Sequence, residues 1–89
     1  MVHILVSHPV KDYEAWRPYF DSSLPQVAAH GINVVNVFRV ADRPNDVSVF
    51  CTAPSKEGFL TFFSDPKLGE LMQQGGVLAP PTVQVFQEA

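Results

Sequence analysis

The residues able to do chemistry are few: three histidines, one tryptophan, one cysteine and scattered polar groups on otherwise apolar strands. His8 follows a run of aliphatic residues and stands five and eight positions before Tyr13 and Trp16. Imidazole is the side chain best suited to proton transfer near neutral pH. A histidine at a pocket mouth, beside rings that hold a flat substrate, reads as a general base or acid, with Asn36 as the second catalytic candidate. The plainer reading of His8 is a loop histidine bonded to backbone. Tyr13 and Trp16, with His3, Phe38 and Phe50, are the candidate substrate-binding residues. Aromatics at helical spacing serve equally well as plain core. Arg39 suits a carboxylate or phenolate. Alternatively its stem lies along a sheet edge with its charge in water, or pairs with Asp46. Cys51 falls among valines, where a thiol is a small core residue and not a nucleophile. His30 suits the negative end of a helix dipole.

Several classes are excluded at this level. Six basic residues against nine acidic ones leave a net charge of -3, and no basic patch is available for phosphates. Nucleic acid is therefore not an expected partner. The histidines and Cys51 lack metal-ligand spacing. There is no Ser-His-Asp grouping, phosphate loop or carboxylate pair, and no cofactor is expected. No apolar run reaches the roughly 18–20 residues of a membrane span. The chain opens on an alternating strand, not a signal peptide, and has a single cysteine, so a cytoplasmic location and no membrane partner are expected.

These residues need elements to position them. Eighty-nine residues make one domain, spanning 1–89. Residues 2–8 read as a strand that Pro9 ends. Asp12 caps a helix whose inward stripe is Tyr13, Trp16, Phe20, Leu24 and Val27. Pro18, and a fresh cap at Ser23 before Pro25, predict a break near Asp21 and Ser22. Residues 32–40 and 47–53 form an antiparallel hairpin around a turn at 41–46. Ser55 caps a helix over 56–63, and Asp65-Pro66 starts another that Gly75-Gly76 stops. Residues 82–87 form the last strand. The order is β-α-β-β-α-β, an α+β ferredoxin-like domain with a four-stranded antiparallel sheet and its helices on one face.

Strand parity divides the sheet into two faces. Ile4, Val6, Val35, Val37, Val47, Val49, Cys51, Val83 and Val85 form an aliphatic face for the helices. His3, Leu5, Ser7, Val34, Asn36, Phe38, Ser48, Phe50, Thr52, Gln84 and Phe86 form a mixed face. The second set is too apolar to stand fully in water. It predicts a two-fold homodimer packed through this open face, burying on the order of 1,600 Å², the plainer alternative being a monomer with an untidy wet face. In that arrangement His3 meets Asn36 or its own symmetry mate.

Three segments carry a family resemblance: His8-Pro9-Val10-Lys11-Asp12-Tyr13-Glu14-Ala15-Trp16, the stretch from Phe38 to Val47, and Gly76-Val77-Leu78-Ala79-Pro80-Pro81. With the order of elements, they resemble the dimeric α/β-barrel superfamily, and within it small proteins related to the antibiotic-biosynthesis monooxygenases. The resemblance implies a cofactor-free monooxygenase, a cyclase or an isomerase acting on an aromatic or polyketide-like molecule. Fold alone does not choose among them. The family monooxygenases use an Asn, Trp and Arg set around a polyphenol. Asn36, Trp16 and Arg39 have those types, but the resemblance does not align them with that set. Family cyclases carry a histidine on the helix-side face of the first strand. Here that face holds Ile4 and Val6, with His3 opposite and His8 at the strand end, which weakens the cyclase reading.

Two functions follow. An enzyme requires a closed cavity of a few hundred Å³ with at least two polar groups converging on it. A non-catalytic ligand-binding or structural dimer predicts a filled core, or a pocket without a titratable group.

Overall fold

The computed structural model describes residues 1–89. Four strands and three helices follow in the order β1 (Val2–Pro9), α1 (Tyr13–Ala29), β2 (Asn33–Val40), β3 (Arg43–Ala53), α2 (Lys56–Phe63), α3 (Pro66–Gln74) and β4 (Thr82–Phe86). The strands form one antiparallel sheet in the order β2-β3-β1-β4, with α2 and α3 together standing for the second helix of the ferredoxin-like plan. No helix is long and apolar enough to cross a membrane.

The caps are those the sequence implies. Asp12 accepts from the Glu14 amide, Ser55 from Gly58 and Asp65 from Lys67, so orphan donors at three helix starts are satisfied. Gly31 follows α1 with φ +78, a backbone shape glycine adopts without strain.

Helix α1 corrects the expectation of a break. It runs unbroken through both Pro18 and Pro25. The prolines lie seven residues apart, two turns, and so share one exposed face. Each withholds one amide from the carbonyl four residues earlier, on Glu14 and on Asp21. Both of those residues are exposed, so water can take the missing bonds. Between the prolines, the Ser22 and Ser23 hydroxyls donate to the Tyr19 and Phe20 carbonyls instead of capping a new helix. The apolar face meanwhile stays fixed to the sheet through Trp16 and Phe20.

The hairpin is also tighter than expected. β3 begins at Arg43, so the turn is only Ala41-Asp42, and Pro44, Asn45 and Asp46 lie in the strand. Strand pairing outweighs their turn preference here. Pro44 sits outside the β1 ladder, and its carbonyl accepts from Arg39 Nε. Asp46 pairs with Arg43, not with Arg39. A bulge between Val34 and Asn36 shifts the register of β2. Val34 therefore opposes Cys51 on the helix side, and Val35 is 48% exposed, the reverse of simple parity.

Elsewhere alternation holds. Val2, Ile4, Val6 and His8 are buried, while His3, Leu5 and Ser7 are half-buried. Residues 75–78 then strap the end of β1. Gly76 accepts from the Lys11 amide, Leu78 donates to the Pro9 carbonyl, and Val10 bridges to Val77.

Candidate functional site

A cavity of about 120 Å³, partly open to solvent, lies between the helices and the sheet, smaller and less enclosed than the closed site of a few hundred Å³ that the enzyme reading expects. Its floor is Val6, Val34, Val49 and Cys51 of the sheet, and its walls come from α1, α2 and α3. Tyr19 and Leu71 are its most exposed lining residues and place the mouth between α1 and α3. No Lys, Arg, Asp or Glu lines it. Ser23 lines it, with its hydroxyl donating to the Phe20 carbonyl. Burial pushes the Cys51 thiol up to about 11, so it is protonated and inert at neutral pH.

His8 is the exceptional lining residue. It opposes Val47 in the ladder, is only 8% exposed, and meets Trp16 edge-on with ring centroids 5.7 Å apart. Trp16 is stacked in turn on Phe20 at 4.9 Å. Nδ1 of His8 is sealed from solvent and has no hydrogen-bond partner. A buried polar atom without a partner is uncommon and costly. Nε2 is not sealed in this way, which leaves it as the ring nitrogen open to a ligand. Loss of hydration pushes the His8 pKa below its ordinary value. Backbone groups of Pro9 and His8 lie near enough to oppose that shift, though none reaches Nδ1 in hydrogen-bonding geometry. The ring is therefore neutral at pH 7, the form in which imidazole accepts a proton.

The sheet separates the remaining candidates into two groups. His8 and Trp16 line the cavity; Tyr13 lies beside them, 5.8 Å from the Trp16 ring, but does not line it. Tyr13 instead carries the Arg39 guanidinium 4.0 Å above its ring and accepts from Arg17 through its hydroxyl. Asn36, His3, Phe38 and Phe50 lie on the opposite, open face. Asn36 opposes Phe50 across the β2-β3 ladder, so the sheet stands between it and His8. His3 stacks on Phe50 at 6.2 Å and meets Glu88 at 3.2 Å, not Asn36. Phe38 is 50% exposed. No three His, Cys, Asp or Glu side chains come together in a way that would hold a metal.

Two features of the site were not legible in the residues. Asn45, expected in a turn, accepts from the Tyr13 amide through Oδ1 and receives the Val10 amide at its carbonyl, fixing the start of α1 over His8. Only the pairing of β3 with β1 brings it there. The strap of residues 75–78 brings Gly75 against Tyr19. A side chain at Gly75 would stand 3.3 Å from the Tyr19 Cβ, so glycine is what lets the two segments meet.

No family model matches the sequence, and no curated protein does. Solved structures match its fold over nearly the whole chain. A Bordetella bronchiseptica protein, provisionally assigned as an antibiotic biosynthesis monooxygenase, aligns with TM-score 0.79 at 15% identity, covering 99% of this chain and 96% of its own. A Nitrosomonas europaea protein with the same provisional assignment gives 0.70 at 12% identity, covering 99% and 98%. A conserved protein from Methanosarcina mazei gives 0.74 at 8% identity, covering 99% and 92%. At such identities the likeness lies in the fold, and this chain has the ferredoxin-like α+β fold of the antibiotic-biosynthesis-monooxygenase-like structures.

Proposed function

We propose that this protein binds a small aromatic molecule in the cavity under its helices, with His8 as the group that takes a proton from it. The observation that carries this reading is a nine-tenths buried histidine, one ring nitrogen sealed and without a partner, lining an otherwise apolar, aromatic-walled cavity. In the reaction step the ligand's O–H bond breaks, the proton passes to Nε2, and the electron pair stays on oxygen. The resulting oxyanion is the activated form that a cofactor-independent oxygenation by dioxygen, or an isomerisation, would consume. The provisional assignments of the structural neighbours favour the oxygenase among these. The alternative, binding without catalysis, draws on the small number of polar groups in the cavity.

The protein's second partner is a copy of itself. Phe38 and Phe86 remain 50% and 45% exposed on the open face, flanking the half-buried Phe50, and a second sheet would cover them. A mass in solution equal to one chain at micromolar concentration overturns this part. A cytoplasmic location is proposed on the sequence alone.

Trp16 is the only tryptophan, so its emission reports on cavity occupancy. Hydroxylated aromatics of one to four rings should be titrated while Trp16 emission and the His8 ring resonances are followed. At least one should move both signals saturably and be consumed under air, with consumption lost in His8→Gln. Saturable binding without consumption selects the non-catalytic alternative. If no compound of any size moves either signal, the cavity is not the site.

A further inference from the structure

Resting on the cavity reading above, the geometry points to a narrower ligand class: an uncharged molecule with a single aromatic ring and one hydroxyl group, a simple phenol. Three independent features of the cavity set ring number, charge and polar group. The volume sets the first. An engineered apolar cavity of about 150 Å³ in another protein holds one benzene ring and stays dry without it. The cavity here, at about 120 Å³, is of that class and far below the roughly 300–1,000 Å³ of sites for drug-sized ligands. A fused polyketide would not fit within it and would have to protrude through the mouth or move the helices, which narrows the aromatic or polyketide-like expectation to its aromatic half.

The lining sets the charge. With no charged side chain facing the cavity, a carboxylate or ammonium group would enter as a net charge at a high desolvation cost, whereas proton transfer from a bound hydroxyl to His8 makes a pair with no net charge. The walls are ring faces and branched aliphatics, including Trp16, Phe20, Phe59 and Phe62, which suit a flat apolar body.

His8 sets the polar group. A neutral imidazole carries one N–H and one bare nitrogen, and which of them faces the cavity depends on the tautomer. A hydroxyl satisfies either state, accepting from Nε2–H or donating to bare Nε2. A ketone can only accept. Ser23 is the second polar residue of the lining, its hydroxyl already donating to the Phe20 carbonyl.

The test uses the whole protein and four commercial probes: phenol, toluene, benzoate and 1-naphthol. Affinities are read from Trp16 emission, and position from the His8 ring resonances. Phenol should bind about tenfold more tightly than toluene, the equivalent of one hydrogen bond. It should exceed 1-naphthol by at least as much, and benzoate should not bind. Equal affinity for phenol and toluene overturns the hydroxyl requirement. Equal or tighter binding of 1-naphthol overturns the one-ring limit while leaving the cavity as the site. Saturable benzoate binding overturns the charge limit. If none of the four binds but a larger hydroxyaromatic does, the single-phenol inference fails alone; if nothing binds, the site fails with it. The comparison is made within the native chain, so it does not depend on the folding of any variant.

Discussion

Alternate residues of β1 meet opposite environments, and two histidines show the consequence. His8 points under the helices, is nine-tenths buried, and has a sealed ring nitrogen with no partner. His3 points to the open face, stacks on Phe50 and pairs with Glu88. One strand thus presents the same side chain in two states: one deprived of water and partners, the other supplied with both. A satisfied histidine is stable and chemically ordinary. His8 has given neither ring nitrogen to a side-chain or backbone partner, and the one that is not sealed, Nε2, stays free for a visitor, which is why the cavity and not the open face is the candidate site.

The largest expected effect tests whether the two faces differ in burial as described. Ile4 has no exposed surface, and its neighbour Leu5 on the open face is half-buried. Ile4→Ala should lower the unfolding free energy by about 3 kcal/mol, within the usual 2–5 for such truncations. Leu5→Ala should cost about 1 kcal/mol in dilute protein, since only part of its surface leaves water on folding. Urea unfolding at two protein concentrations checks both. A Leu5→Ala cost that grows with concentration shows a second copy covering the open face. Equal costs for the two variants at the lowest concentration break the comparison.

The same two faces explain what could be read in advance. Period-two alternation placed Ile4, Val6, Val47 and Val49 under the helices, because an unbroken antiparallel ladder leaves a strand no other choice. It misplaced Val34 and Val35, because a bulge is one extra residue whose position depends on the partner strand. The proline rule wrongly predicted a break in α1, because it prices the lost hydrogen bonds but not the side of the helix on which they are lost. The site was half legible. His8 and Trp16 could be paired from their spacing around a capped helix start. Strand parity did put Asn36 on the mixed face, away from them, but the neighbours of an edge-strand residue are settled only by its register. The Arg39–Tyr13 stack was invisible for the same reason.

The next effect sharpens the contrast through pH. Burial holds the folded-state pKa of His8 below the ordinary 6.5. Above that value both folded and unfolded chains carry a neutral ring, and the fold keeps its full stability. As pH falls below it, the unfolded chain takes up a proton that folded His8 refuses. Stability should therefore decline toward acid, by up to about 1.4 kcal/mol per pH unit, until the folded pKa is reached. Unfolding of native protein and His8→Gln, compared from roughly pH 7.5 to 5.5, isolates this contribution from the carboxylates the two share. The native protein should lose ground to the variant as the solution is acidified. A constant difference means the ring is hydrated or partnered after all.

The smallest effect belongs to the open face. His3 Nε2 and Glu88 Oε1 stand 3.2 Å apart, with the Glu88 side chain 80% exposed. A pair in that much water is worth about 0.2–1 kcal/mol at most and is weakened by salt. Glu88→Gln should therefore shift the unfolding midpoint barely beyond error in low salt, and not at all in high salt. The value of so small an effect lies in its size. Covering the open face with a second sheet would remove water from around this pair, and a desolvated charge that loses its partner costs several kcal/mol. A loss of that order, insensitive to salt and present only at protein concentrations where the assembly forms, would mean that His3 and Glu88 sit inside an interface. His3 would then be buried like His8, but with its hydrogen-bonding capacity already used.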